Sequence, residues 1–255
     1  MVSLIDTHCH LAAPELDSSR DEMIARAKDV GVVAAVCVGE HYEDNLRVLE
    51  LAAREPFVRP ALGHHPWFLD RAADDLDRTL ALIEQHAREL VAIGEVGLDY
   101  RVAESSVDRS RQRDLFRELI RAAERHDLPL SVHVRSAGHY VIELLQELGY
   151  SRAALHAFDG KAKYATTGAA WGLCFSLPGT LLVSRQKEKL ARALPLDRLL
   201  LETDTPALSP DPNQPSEPAM LVRIVERAAA LRGDDPEALA RAAFDNACRL
   251  FRLKL

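Results

Sequence analysis

Short apolar runs alternate along the chain with longer amphipathic stretches. The run VVAAVCV is apolar at every position, whereas a strand with one face in water is apolar only at every second position. Such runs are typical of parallel strands that helices cover on both faces. The pattern predicts eight strands, at Leu4–His8, Val32–Val38, Val58–Gly63, Val91–Val96, Leu130–Val134, Ala153–His156, Gly172–Ser176 and Arg198–Thr203.

The longer stretches carry apolar residues at the spacing of one helix face. Met23, Ile24 and Ala27, for example, fall on the same side of the first stretch. The predicted helices are Arg20–Val30, Asp108–His126, Val141–Leu148 and Pro218–Leu231, with a terminal helix at Asp235–Leu250. Ser18, Asp74 and Ser184 are expected as N-caps.

The alternation of strand and helix predicts a single α/β fold. A chain of 255 residues has room for about eight strand–helix units, which indicates one (β/α)8 TIM barrel with the terminal helix packed over it. No linker rich in Gly and Ser separates two halves, so residues 1–255 are expected to form one domain. The proline-rich stretch Asp204–Pro218 is predicted to be an ordered surface loop.

Composition and net charge limit the class of protein and the cellular compartment that we expect. The net charge of −7 lacks the basic balance of a protein that holds nucleic acid mainly by charge, although bound cations would add positive charge that this count omits. No apolar run reaches about 18 residues, and the N-terminus does not resemble a signal peptide. The four cysteines form no C-x-x-C pair and are expected as free thiols. We therefore expect a cytoplasmic monomer, or a nuclear one in a eukaryote, with no membrane or protein partner.

Candidate metal ligands cluster at the ends of the predicted strands. His8 and His10 form an H-x-H pair, whose side chains point to the same side of a strand. Active sites of such barrels lie at the C-terminal ends of the strands, and imidazole and carboxylate both bind divalent metals. Six residues on five strands meet both conditions: His8, His10, Glu95, His133, His156 and Asp204.

Six ligands are too many for one tetrahedral zinc, and they fit two ions about 3.5–4 Å apart with a carboxylate bridge. Such ions would activate a water for hydrolysis, and Asp204 is placed to take its proton. Histidine with carboxylate suits Zn, Mn, Fe, Ni or Co, while Mg prefers more oxygen ligands.

Each residue also has an ordinary structural interpretation. A single histidine at a strand end is often hydrogen-bonded in the core, and an aspartate in a turn such as Asp204 is often a cap. The shared position of the six is what favours a metal site. By the same reasoning, four other histidines beside predicted helices are expected to be structural or exposed: His41, His86, His126 and His139.

Further polar residues follow the same strand ends. His65, Arg135 and Lys161 could hold phosphate groups, whereas His64 is expected to point away. A solvated surface charge is the alternative for Arg135 and Lys161. Glu202 and Asp99 could orient metal ligands through hydrogen bonds.

An ordered set of motifs resembles the TatD family of metal-dependent deoxyribonucleases, within the amidohydrolase-like barrels. The motifs cover most of the chain: IDTHCHL, GHHP, GEVGLDY, SVHVRSAG, HAFDG, LLLETDTPAL, SEPAML and NACRLF. HVRSAG, LLQELG and SRQKEKL resemble the eukaryotic branch called the third TatD-domain-containing protein.

The resemblance implies specific roles. His8, His10 and Asp204 would bind one ion, His133 and His156 the other, and Glu95 would bridge them. A glutamate at this position argues against the related hydrolases whose bridge is a carboxylated lysine. The implied activity is that of a 3′-exonuclease of DNA, with a possible endonuclease activity at abasic sites.

Two observations keep other functions open. Many family members carry a basic residue with an asparagine before the Glu-Pro of the loop after strand eight, whereas this chain reads Asn213-Gln214-Pro215-Ser216 there. A similar site could also hydrolyse a lactone, an amide or a phosphotriester, since a fold does not fix a function. An inactive metal-binding scaffold is the alternative outside enzymes.

Overall fold

The computed structural model describes residues 2–255, with the backbone alone at residues 70–73. Eight parallel strands form one sheet in which each strand pairs with its neighbour in the chain. The strands are β1 Leu4–Cys9, β2 Val32–Val38, β3 Val58–Leu62, β4 Ala92–Asp99, β5 Leu130–Arg135, β6 Ala153–Leu155, β7 Cys174–Leu177 and β8 Leu199–Leu201.

Helices alternate with these strands, as in a (β/α)8 barrel, and the predicted fold is confirmed. They are α1 Arg20–Asp29, α2 Tyr42–Arg54, α3 Ala72–His86, α4 Ser106–His126, α5 Gly138–Glu147, α6 Ala162–Trp171, α7 Arg185–Ala193, α8 Leu221–Arg232 and α9 Pro236–Phe251. No helix within residues 2–255 combines the length and apolar character that crossing a membrane requires.

The first and last strands meet through hydrogen bonds beyond the end of β8. Asp6 accepts hydrogen bonds from the backbone N–H of Thr203 at 3.0 Å and from its hydroxyl at 2.5 Å. The N–H of Asp204 donates to the carbonyl of His8 at 3.0 Å. These bonds bring the segment after β8 beside β1, so His8 and Asp204 become neighbours.

The terminal helix closes the N-terminal end of the barrel. Leu250 and Phe251 of α9 pack in one cluster with small interior residues near the strand starts, such as Ala34 and Ala92. A separate, larger cluster fills the space between the strands and the surrounding helices. The C-terminal ends of the strands therefore remain free to carry a site, and the predicted additional helix is confirmed.

One strand boundary differs from the prediction in a way that affects the site. β4 continues to Asp99, with an irregularity in its pairing with β5 between Ile93 and Val96. Glu95 therefore lies in the middle of β4, and its predicted position at the strand end is wrong. Asp99 occupies that end instead, beside Arg135 of β5.

Two of the three predicted N-caps are also wrong. Helix α1 starts at Arg20 with Ser19 rather than Ser18 as its cap residue, and Ser19 makes no side-chain capping bond. Asp74 lies within the first turn of α3, where an acidic side chain favours the positive end of the helix dipole. Ser184 caps α7 as predicted, because its hydroxyl accepts a hydrogen bond from the N–H of Lys187.

Candidate metal centre

Glu95 is at the centre of the candidate site, and its two carboxylate oxygens face different histidines. Oε2 lies 3.2 Å from Nε2 of His10 and 3.5 Å from Nε2 of His8. Oε1 lies 2.9 Å from Nδ1 of His133 and 2.8 Å from Nε2 of His156. A carboxylate in this arrangement can bridge two ions.

Asp204 completes one of the two sides. Its Oδ1 lies 3.3 Å from Nε2 of His10 and 3.6 Å from Nε2 of His8. The backbone of Asp204 is in the left-handed region at φ 54°, which aspartate tolerates better than most residues. The structure thus brings all six residues expected from the sequence into one cluster.

The donor set fits a divalent cation. Nδ1 of His8 is 2.8 Å from the Ser131 hydroxyl, so a proton there leaves the Nε2 lone pair free. Nε2 is fully buried and has no hydrogen-bond partner among the described residues. An unpaired buried nitrogen beside two carboxylates is rarely tolerated without a ligand, and a metal ion would satisfy it.

The carboxylates of the cluster are ionised. Burial alone would raise the pKa of Glu95, but the surrounding histidines, His65 and His156 foremost, lower it well below its usual range. Burial also opposes ionisation of Asp204, whose pKa is lowered by the hydrogen bond from His10. In the metal-free centre these negative charges face His10, His133 and His156, whose pKa values the neighbouring carboxylates raise against the effect of burial. A divalent ion that binds these rings must displace their protons.

Asp99 orients one of the ring histidines. Nε2 of His133 lies 3.1 Å from Oδ2 of Asp99, on the opposite side of the imidazole from Glu95. The indole N–H of Trp67 donates to the same oxygen at 2.6 Å. Although burial opposes the charge, these donors lower the pKa of Asp99 to about 2. Asp99 thus remains an acceptor that fixes the His133 ring.

Glu202 lies behind His156. Its Oε1 is 3.7 Å from Nδ1 of His156 and accepts a hydrogen bond from the N–H of Ala157 at 2.8 Å. Its other oxygen accepts a hydrogen bond from the hydroxyl of Ser176. Glu202 therefore connects β7 to the turn that carries His156.

The expected phosphate-binding residues lie at different depths. His65 is buried, and its Nε2 is 3.4 Å from Oε1 of Glu95, so it belongs to the cluster itself and could also bind a metal. Arg135 is exposed and lines the cavity above the cluster. Lys161 is exposed at the start of α6 and is not among the described residues that line this cavity.

Other histidines lie outside the cluster, as the sequence suggests. His64 points away and pairs with Asp75 of α3 at 3.2 Å. His41 caps α2 by accepting a hydrogen bond from the N–H of Asp44, and it also lines the cavity above the cluster. His126 pairs with Glu84 at 2.9 Å.

Lys187, Glu40 and Trp67 line the cavity but were not identified from the sequence as candidate site residues. Lys187 of α7 is buried and donates hydrogen bonds to the carbonyls of Ala157 and Phe158, and burial lowers its pKa to about 8. Glu40 follows β2, and burial raises its pKa to about 7. Trp67 follows β3, and in the sequence only its position directly after the GHHP motif could have indicated a role in the site.

These residues surround a cavity of about 650 Å³ at the C-terminal ends of the strands. Glu95, His133, His156 and Asp204 contribute to its lining together with Trp67. The volume is within the range of sites for small molecules or single nucleotides.

The unusual loop after β8 is held by contacts with Thr203 and with helix α1. Ser216 is buried, and its hydroxyl donates to the carbonyl of Thr203 at 2.9 Å. Glu217 binds Arg26 of α1, with a nitrogen–oxygen distance of 2.6 Å. The loop therefore contributes to stability beside the site even without the basic residue expected there.

Comparison with known proteins identifies the family. The family model of TatD-related DNases matches residues 5–252. The human deoxyribonuclease TATDN3 is 40% identical over 98% of this chain and 95% of its own length. The 3′-5′ ssDNA/RNA exonuclease TatD of Erwinia tasmaniensis is 31% identical over 98% of this chain and 100% of its own.

A solved structure agrees with this assignment. The TatD homologue YJJV of Escherichia coli K12 superposes with a TM-score of 0.91 at 29% identity, over 98% of each chain. Both the match along the sequence and the shared architecture extend over almost the whole molecule. The chain belongs to the family of TatD-related DNases.

Proposed function

We propose that this chain is a divalent-metal-dependent nuclease that hydrolyses phosphodiester bonds of DNA, as a 3′-exonuclease and as an endonuclease at abasic sites. The observation that carries the proposal is the bridging position of Glu95, whose two oxygens face separate sets of histidines. Family membership and the activities named for the two relatives support it.

Two ions would be held by the six clustered residues. His8, His10 and Asp204 would hold one, His133 and His156 the other, and Glu95 would bridge them. When bound, the ions supply positive charge for the phosphate oxygens and lower the pKa of a water. Zn, Mn, Mg, Ni, Fe and Co remain the candidates.

Side chains of the protein would take the proton from the water and bind the phosphate groups of the substrate. The ionised carboxylate of Asp204 would accept a proton from the attacking water. The water oxygen bonds to phosphorus as the bond between phosphorus and the leaving oxygen breaks, and the leaving oxygen departs as an alkoxide that takes a proton from solvent. Arg135 is exposed beside the cavity and can hold a phosphate oxygen with two N–H groups. His65 would hold the scissile phosphate, and Lys161 a phosphate farther along the strand.

Metal removal tests the proposal. Protein stripped of metal should lose hydrolysis of a single-stranded DNA labelled at its 3′ end, and resupplied Mg, Mn, Zn or Co should restore it. His133→Ala and Glu95→Ala should each lower kcat/KM by about 100-fold or more, because each removes a metal ligand. His139→Ala is the matched control, since His139 packs against Tyr140 and Tyr164.

Two results would contradict the proposal. One is equal hydrolysis with and without metal, and the other is full activity of either ligand variant. Metal-dependent hydrolysis of a lactone or an amide, without cleavage of a phosphodiester, would assign the site to a small-molecule hydrolase instead.

We also propose that the protein acts as a cytoplasmic monomer, or in the nucleus of a eukaryote. The four cysteines are unpaired thiols, which suits a reducing compartment. Light scattering of the purified protein and imaging of a tagged chain test the two statements.

A further inference from the structure

We infer that Trp67 is the surface on which the nucleobase next to the scissile phosphate stacks, and that it makes the site selective for unpaired nucleotides. This inference rests on the proposed function, because it presumes that a phosphodiester binds at the Glu95 cluster. Trp67 would determine specificity for the base, whereas the Glu95 cluster would contact only the phosphate.

The exposure of Trp67 is unusual for this molecule. Its side chain lies at the edge of the cavity, and the residue is 51% exposed. The other large apolar residues in the described part of the chain that are this exposed are aliphatic. Because an indole is the largest apolar side chain, leaving it in water beside a polar site suggests that a ligand covers it.

The ring is held in position before any ligand arrives. Its N–H is fixed on Asp99 at 2.6 Å. The rings of His65 and His133 lie 4.9 Å and 6.3 Å away at interplanar angles of 87° and 71°, so neither stacks face to face on it. A rigid aromatic surface loses little conformational entropy when a planar group stacks on it.

The position relative to the cluster fits one nucleotide. His65 and His133, the neighbours of Trp67, are both within 3.4 Å of Oε1 of Glu95. A single sugar connects a phosphate to its base, so a phosphate at Glu95 places its base within reach of the indole. Bases of a duplex are already stacked and paired, so stacking on Trp67 favours a single strand or a strand end.

Trp67 exposes an aromatic face and also donates a hydrogen bond to Asp99, and two variants separate these roles. Trp67→Phe keeps an aromatic face but removes the N–H, whereas Trp67→Leu removes both. Stacking predicts that Phe retains most of the binding and that Leu does not. A role limited to holding Asp99, and through it His133, predicts that both variants are equally impaired.

Fluorescence provides a readout that does not depend on catalysis. The chain has two tryptophans, and Trp171 lies at the end of α6, on the opposite side of the barrel from the strand ends. In metal-loaded Trp171→Phe protein, deoxyguanosine 5′-monophosphate should quench the emission of Trp67. It should bind roughly 5- to 100-fold more tightly than 2-deoxyribose 5-phosphate, which lacks the base. In Trp67→Phe protein the emission of Trp171 should not change.

Steady-state kinetics of the variants provide a second test. Trp67→Phe and Trp67→Leu both lack the N–H that holds Asp99, so only the aromatic face differs between them. Trp67→Leu should have a KM for a single-stranded oligonucleotide about 10-fold higher than that of Trp67→Phe, at a similar kcat, because stacking acts equally on bound substrate and transition state. Trp67→Phe and Trp67→Leu should cleave equally well a strand whose reacting nucleotide is abasic. Thermal unfolding shows whether the variants are folded.

The outcomes separate this inference from the proposed function. Equal affinity for the two phosphates, or the same KM in folded Trp67→Phe and Trp67→Leu proteins, overturns the stacking role and leaves the nuclease activity standing. Base-dependent quenching without any phosphodiester hydrolysis supports the stacking role and rejects the nuclease activity.

Discussion

At Gly63, the end of β3 passes so close to the backbone of Glu95 that only glycine fits. A Cβ added there would lie 2.4 Å from the carbonyl oxygen of Glu95 and 2.5 Å from its nitrogen. Gly97 has a similar role, because its Cβ would lie 2.1 Å from the carbonyl of His133. The glycines in LGHHP and GEVG therefore allow β3, β4 and β5 to approach each other around Glu95 and His133.

Gly63→Ala should consequently destabilise the protein by about 3 kcal/mol, because neither backbone can move away without disturbing the barrel. It should also lower the amount of bound metal, since Glu95 is displaced. Urea unfolding and metal analysis measure the two effects. Gly149→Ala is the control: its φ of 69° costs about 1 kcal/mol by itself, but nothing lies within 4 Å of the added atom. Equal losses in the two variants would contradict the steric argument.

The cluster of six residues could be expected from the sequence because their residue types and their positions in or just after predicted strands together indicated a shared site. Ser131 and Lys187 could not be identified in this way. Serine and lysine are common surface residues, and their roles arise from contacts made only after the strands and helices assemble. The depth of Glu95 was also missed, since an irregularity in the pairing of two strands leaves no clear pattern in the sequence.

At the scale of elements, the start of α7 holds the turn that follows β6. The side chains of Gln186 and Lys187 donate hydrogen bonds to carbonyls in the segment 157–160. That segment begins at Ala157, whose φ of 38° lies in the left-handed region that few residues other than glycine adopt. His156 directly precedes it, so α7 positions a proposed metal ligand that lies outside this helix.

Lys187→Met should therefore lower stability by about 1–3 kcal/mol, because buried carbonyls lose their charged donor. It should also weaken metal binding through His156. The control is Lys189→Met on the same helix, where the side chain is exposed and little change is expected. Chemical unfolding and metal titration provide the measurements, and unchanged metal affinity in a folded Lys187→Met protein would rule out the positioning role.

For the whole molecule, the alternation of strands and helices determined the barrel and the end that carries the site. It could not determine which groups pair across that end. Those pairings decide how metal binding and folding depend on pH. His156 shows this most clearly: burial favours its neutral ring, but the carboxylates of Glu95 and Glu202 raise its pKa to about 10.

The stabilisation by metal should consequently increase with pH. In metal-free protein the charge of His156 contributes stability that is fully present below its ordinary pKa of 6.5 and is lost as the pH rises through about 10. A divalent ion needs the neutral ring and must displace this proton. The rise in Tm on adding Zn or Mn should therefore be larger near pH 9 than near pH 6.5.

Thermal scans of metal-free and metal-loaded protein at several pH values measure this difference. His139→Ala should keep the pH dependence, and His156→Ala should reduce it. A rise in Tm that is the same at every pH would show that proton displacement at His156 is not coupled to metal binding.

The helix that closes the N-terminal end of the barrel also affects how products leave. Because α9 packs against that end, the described cavity lies at the opposite end of the barrel, beside Glu95 and Asp204. A nucleotide released by the proposed exonuclease activity would depart through the same mouth by which the next one arrives. Successive cuts along a strand would then be paced by the exchange of product for substrate, and free mononucleotide would compete directly with the polymer.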